Sequence, residues 1–202
     1  MKRDSKTIIT YTVAHVGSTL IANINTGLFE PKQAIQFIKP QDLLNPQYTL
    51  PKNRITFKSH PPPNSEGVPT YDVDTLLETV KLRADEQTYF VYVNRKNHPI
   101  IKTQLPNLIL LDYERILYKS ELYSKTNTSL PTVIDYIISK YTATIPDINI
   151  SQEMIESAID RVIKMDKIAK QMRSKSFDHV DKFYHIHGSH RGRLTPDQLP
   201  KK

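Results

Sequence analysis

The distribution of proline constrains this chain more than any other feature. Seven of the 14 prolines fall between positions 40 and 70, at Pro40, Pro46, Pro51, Pro61, Pro62, Pro63 and Pro69. Each fixes φ near −65° and removes a backbone donor, so neither a long helix nor a central strand can run through that stretch. One short strand fits there, Ile55 to Lys58 (ITFK). The run Pro61-Pro62-Pro63 and the Asn-Ser-Glu-Gly that follows it read as a semi-extended linker or surface loop over 61–70. The chain therefore divides into a β-rich N-terminal region, 1–60, and an α+β core, 71–150.

Within the first region, residues 7–16 (TIITYTVAHV) alternate as a strand. Gly17-Ser18 signals a turn, and 19–25 (TLIANIN) alternates again, so a β-hairpin is expected. Pro31 opens a short helix to Ile38, closed by Pro40. In the core, Asp72 or Asp74 caps a helix to about Ala84 whose apolar stripe is Val73, Leu76, Leu77, Val80 and Ala84. Residues 88–94 (TYFVYVN) form the clearest strand, and 99–103 (PIIKT) returns as its antiparallel partner. The segment 107–123 is ambiguous; its length favours helix over a buried strand at Leu108–Leu111. Ser129-Leu130-Pro131 starts another helix, 131–142. The fold class read from these elements is α+β: antiparallel hairpins and short strands with about four helices, a long C-terminal helix and an extended basic tail.

That long helix, 151–174, starts at Ser151, and Ile155, Ala158, Val162, Met165, Ala169 and Met172 recur at alternating spacings of three and four. The seam packs either on the helix's own domain or on a partner. The segment 175–202 has no apolar periodicity and reads as an extended tail. Ten Lys or Arg and four acids lie between Lys164 and Lys202, a net of +6, whereas residues 1–163 hold 18 bases and 17 acids. A basic tail on a near-neutral body suits a polyanion, because phosphate contacts release counterions.

Compact catalytic signatures are missing. There is no Walker loop, dinucleotide fingerprint, nucleophile elbow or His-Glu-x-x-His. Five glycines argue against glycine-rich phosphate loops, and without cysteine there is no thiolate chemistry. His185, His187 and His190 loosely resemble the His-rich strand of the histidine-triad hydrolases, but His190 falls one position late and the glycine-rich partner features are absent. No metal site and no cofactor are expected there. Asp72, Asp74 and Glu78 with Lys81, and Asp112 with Glu114, are the carboxylate groups that a metal-dependent nuclease would use; helix capping and a solvated face explain the first group.

The function these features suggest is a non-catalytic structural or assembly component of a large nucleoprotein particle, such as a virion head, neck or tail complex or a ribosome-like body. A nucleic-acid-processing nuclease is the alternative. The long helix would dock through Val162, Met165, Ala169 and Met172. The tail would engage other protein subunits, or DNA or RNA, through Lys170, Arg173, Lys175, Lys182, Tyr184, His187, Arg191 and Arg193. With no apolar run near the roughly 20 residues of a membrane span, and no signal-type stretch after Met1-Lys2-Arg3, the expected setting is a virion or cytoplasmic assembly rather than a membrane or secreted one.

Overall fold

The computed structural model describes residues 6–13, 17–60, 73–84, 87–96, 100–119, 126–173, 180–181 and 186–187. Its centre is a four-stranded, all-parallel sheet in the order β2-β1-β3-β4, built from β1 (Thr7–Tyr11), β2 (Thr56–Ser59), β3 (Thr88–Asn94) and β4 (Leu108–Asp112). β1 pairs with β2 on one side (Ile9 opposite Phe57) and with β3 on the other (Ile9 opposite Phe90). Residues from both sides of the proline-rich stretch thus form one sheet.

This corrects the expected antiparallel hairpins. Parallel neighbours need a crossover of a dozen or more residues, and the chain supplies it where the first hairpin was expected: after β1 comes helix α1 (Ser18–Phe29), which holds the TLIANIN segment. The alternation there misleads because α1 is buried nearly all round. Leu20, Ile21, Ala22, Asn23, Ile24, Asn25, Thr26, Gly27 and Leu28 are all enclosed, so no polar stripe marks a helical period. At the second expected hairpin, Asn94 holds Ile101 at both ends, donating from Nδ2 to its carbonyl and accepting its N–H at Oδ1 (3.0 and 2.9 Å). The partner of β3 is instead β4, with Phe90 opposite Leu108. The described part of the 107–123 segment, residues 107–119, therefore holds a strand followed by one helical turn, α4 (Tyr113–Ile116). The expected helix after Pro31 does not form; α2 (Pro40–Leu44) starts one proline later, with Pro40 in its first turn.

Helices α3 (Val73–Leu82), α5 (Leu130–Thr144) and α6 (Gln152–Arg173) lie close to the spans read from the sequence. Among the described residues six helices accompany the sheet, not about four. In the C-terminal region Val180–Asp181 (β5) and Ile186–His187 (β6) pair antiparallel.

Polar contacts identify the layers. On one face of β1 the Tyr11 hydroxyl meets Thr79 of α3 at 3.5 Å, and its ring leans on Phe90. On the other, Thr10 accepts from Asn25 of α1 at 3.1 Å. Helices α1 and α3 therefore cover opposite faces, as expected when a chain runs outward from β1 to β2 and then back across to β3. Beside α1 lies α5, which packs on β4 and whose Tyr141 hydroxyl donates to Asn25 Oδ1; against α1 lies α6, whose Met165 sulfur accepts from Asn23. The α1–α6 contact is very close: a Cβ added to Gly27 would stand 2.6 Å from Ala158 Cα.

Candidate anion site at the switch point of the sheet

All four strands end on the same edge, and the order β2-β1-β3-β4 reverses direction between β1 and β3. In open parallel sheets that crevice, outside the carboxyl ends of the strands, is where ligands bind. The residues gathered there arise from local necessity. Gly17 is the N-cap of α1 at φ 83°, a left-handed backbone that favours glycine, and an added Cβ would lie 2.8 Å from Ile116 Cδ1. No side chain caps the helix. The first-turn N–H groups, which have no acceptor within an α-helix, thus face the edge together with the positive end of the helix dipole.

Lys58 lies beside this helix start. In register with Thr10, it shares the face of the sheet that α1 covers, and its Nζ donates to the Thr19 hydroxyl at 3.2 Å. The residue is only 1% exposed. Its ammonium lies 5.6 Å from the Phe37 ring centroid, and among the described residues no carboxylate pairs with it. The acid that β2 does engage, Glu30, sits at the other end of the strand, accepting from Ile55 N, Thr56 N, the Thr56 hydroxyl and Arg54. Burial without a counter-charge pulls the Lys58 pKa down to about 7.

Neighbouring strand ends add polar groups. Thr12 accepts the Val93 N–H through Oγ1 at 3.2 Å, and its carbonyl lies 2.6 Å from His60 Nδ1. Arg95, just beyond β3, is buried and stacks on Tyr113 at 4.3 Å from the ring centroid. At the β1–β2 side of this edge a buried ammonium stands beside a helix start, chemistry suited to an oxyanion; the carboxylates of the edge, Asp112 and Glu114, lie at the end of β4.

Sequence reasoning passed over these residues for a physical reason. In the phosphate-loop pattern G-x-x-x-x-G-K-[ST] the cation comes from the loop itself. Here Gly17-Ser18-Thr19 occupies the last three places with Ser18 where the lysine would stand, and Thr12 holds the place of the first glycine. The ammonium reaches Thr19 from the next strand, 39 positions away. The usable signal was a β-branched run leading to Gly-Ser-Thr ahead of an apolar segment. Recognising the lysine required the strand order.

The residues expected to act lie elsewhere. Val162, Met165 and Ala169 are buried within the chain's own core, on the side of α6 that meets α1, so that seam is engaged internally and is not a free docking face. Lys170 is exposed on α6. The side chains of Met172 and Arg173, and Lys175, Lys182, Tyr184, Arg191 and Arg193, lie outside the described residues; His187 is placed only as backbone of β6. Of the nuclease carboxylates, Asp74 and Glu78 are exposed along α3 with Lys81, Asp112 and Glu114 are exposed at the end of β4, and Asp72 lies outside the described residues. Among the described residues no group of three or more His, Asp or Glu side chains gathers as a metal site, and no helix is long and apolar enough to cross a membrane.

No protein-family model matches the chain, and no curated protein or solved structure matches it significantly.

Proposed function

We propose that this protein binds a small molecule bearing a phosphate or sulfate group, seated between the first turn of α1 and Lys58. The observation that carries this reading is a buried ammonium, without a carboxylate partner among the described residues, directed at the start of an uncapped helix. A buried lone charge is costly in a binding-free protein. An anion would neutralise it while accepting from the helix amides. Gly17 and Thr19 are both partly exposed, which leaves the helix start open to a ligand. The position of the site, at the reversal point of a parallel sheet, supports the same reading.

The test is calorimetric titration at pH 6.5 with inorganic phosphate and with nucleoside mono-, di- and triphosphates, on the full chain and on Lys58→Met. Binding by the wild type that falls at least tenfold in Lys58→Met is the expected result. Equal affinity in the two proteins, or no binding of any of these anions, would refute the assignment.

A further inference from the structure

We infer that the anion site is proton-gated: Lys58, enclosed against Thr19 and Phe37 with no carboxylate beside it among the described residues, holds the ligand only while it carries its proton, so affinity is lost as that proton leaves. The inference rests on the anion-binding reading above and adds its regulation. An ordinary surface lysine stays charged throughout the physiological range and confers no such dependence. Lys58 differs in its surroundings. Its described contacts are one hydroxyl, on Thr19, and one aromatic face, on Phe37. Neither supplies a full negative charge, so the ligand anion itself becomes the group that keeps Lys58 protonated.

The groups around Lys58 leave little else to titrate with it. Helix α1 contributes no ionisable side chain. β1 contributes Tyr11, which lies on the opposite face against Thr79. The segment that pairs along the outer edge of β2, Gln36 to Ile38, has none, and the Lys39 that follows is exposed. On β2 and its flanks, Glu30 and Arg54 form an ion pair at the far end. His60, two residues beyond Lys58, sets its Nδ1 against the Thr12 carbonyl. From α6, across α1, Arg161 is engaged by Asn23 and by the carbonyls of Pro31 and Gln33. An imidazole also titrates near neutrality, so His60 requires its own control.

With the free-state pKa of Lys58 near 7, about half of the molecules are competent at pH 7 and roughly 1% at pH 9. Apparent affinity scales with that fraction, so it should weaken about fiftyfold across the interval. Sulfate is the proper probe, because it stays a dianion throughout the range whereas phosphate changes its own charge. Sulfate binding to the full chain, measured by calorimetry from pH 6 to 9, is expected to level off below pH 7 and to fall towards tenfold per unit above it. Lys58→Arg, charged at every pH used, should bind with a flat profile; His60→Asn should retain the wild-type fall. In parallel, the Lys58 Cε resonance of the wild type should titrate with a midpoint at least one pH unit higher in saturating sulfate. This last measurement decides the matter even if the arginine variant does not fold. A flat wild-type profile, a fall that disappears in His60→Asn, or a midpoint unmoved by sulfate would overturn the gate and leave the anion site standing. Failure of sulfate to bind at any pH would overturn both.

Discussion

Replacing Gly27 with alanine tests how closely α1 is held against α6, and the approach of the two backbones sets an unusual outcome. The new Cβ would sit 2.6 Å from Ala158 Cα, and 3.2 Å from both Ala158 Cβ and Ala158 N. Carbon atoms rest comfortably at about 3.5–4.0 Å, so the helices must separate by about 1 Å. Separation loosens the contacts of Ala158, Val162, Met165 and Ala169, all of which are fully buried or nearly so. Overpacking of this kind costs about 1–3 kcal/mol, while alanine's better helix propensity returns about 0.5–1 kcal/mol. The net expectation is a loss of about 1–2 kcal/mol, read as a lower urea midpoint with unchanged slope. The sharper test is the double variant. If two methyl groups were colliding, Gly27→Ala with Ala158→Gly would restore stability. The nearest atom is Cα, which no substitution at 158 removes, so the double variant should recover nothing and lose about 1 kcal/mol more for a glycine inside α6. A double variant as stable as the wild type would refute backbone-limited packing, as would a Gly27→Ala protein more stable than its parent. If α1 yields rather than α6, Thr19 moves relative to Lys58 and anion affinity falls along with stability.

Two further expectations concern buried cations. The Lys58 pKa is lowered on folding from 10.5 to about 7, so between these values the unfolded chain binds more protons and stability must rise with pH. From pH 7 to 9 this group alone should add about 2 kcal/mol, and urea denaturation of Lys58→Met should lack that increment; superimposable pH profiles for the two proteins would contradict the burial of an unpaired amine. Arg83, fully buried, donates to the carbonyls of Asp42, Leu43, Asn45 and Tyr48, fastening α2 and the loop after it to the end of α3. Arg83→Met should cost about 3 kcal/mol or more and speed proteolysis between Asp42 and Tyr48, and an unaltered denaturation midpoint would dispose of the idea.

Among the helices, the ones legible in the sequence were those with one wet face; the β-branched runs of β1, β2 and β3 were legible as strands, though not their pairing. α3, α5 and α6 show an apolar stripe against polar residues, and their spans could be read from it; the start of α5 near Pro131 was read too, and there the Ser129 hydroxyl accepts the Thr132 N–H at 3.3 Å. The reading failed at α1 and β4. α1 carries Asn23, Asn25 and Thr26 inside the protein, each satisfied by a tertiary or local partner, so polarity there indicated neither exposure nor period. β4 was a four-residue apolar run whose partner lies on β3, beyond the reach of local pattern. Once two strands were paired as hairpins, the parallel order was lost, and with it the edge at which Lys58, Thr19 and Gly17 meet. Lys58 itself sat in a segment correctly read as strand. Nothing in ITFK says that its lysine points inward.

The order of the strands also has a consequence for how the chain is made. β1 is made before both of its neighbours, which follow it by about 50 residues (Thr56–Ser59) and about 80 residues (Thr88–Asn94). At a translation rate of about 5–20 residues per second, the TIITYTV segment waits roughly 2–10 s with both edges open and roughly 4–16 s before the second is covered. It is uncharged and rich in β-branched residues, the composition that seeds intermolecular strand pairing. Lys2, Arg3 and Lys6 immediately precede it. Like charges on successive nascent chains oppose the pairing of such segments, the effect expected of charged residues flanking an apolar strand during the interval before the sheet exists.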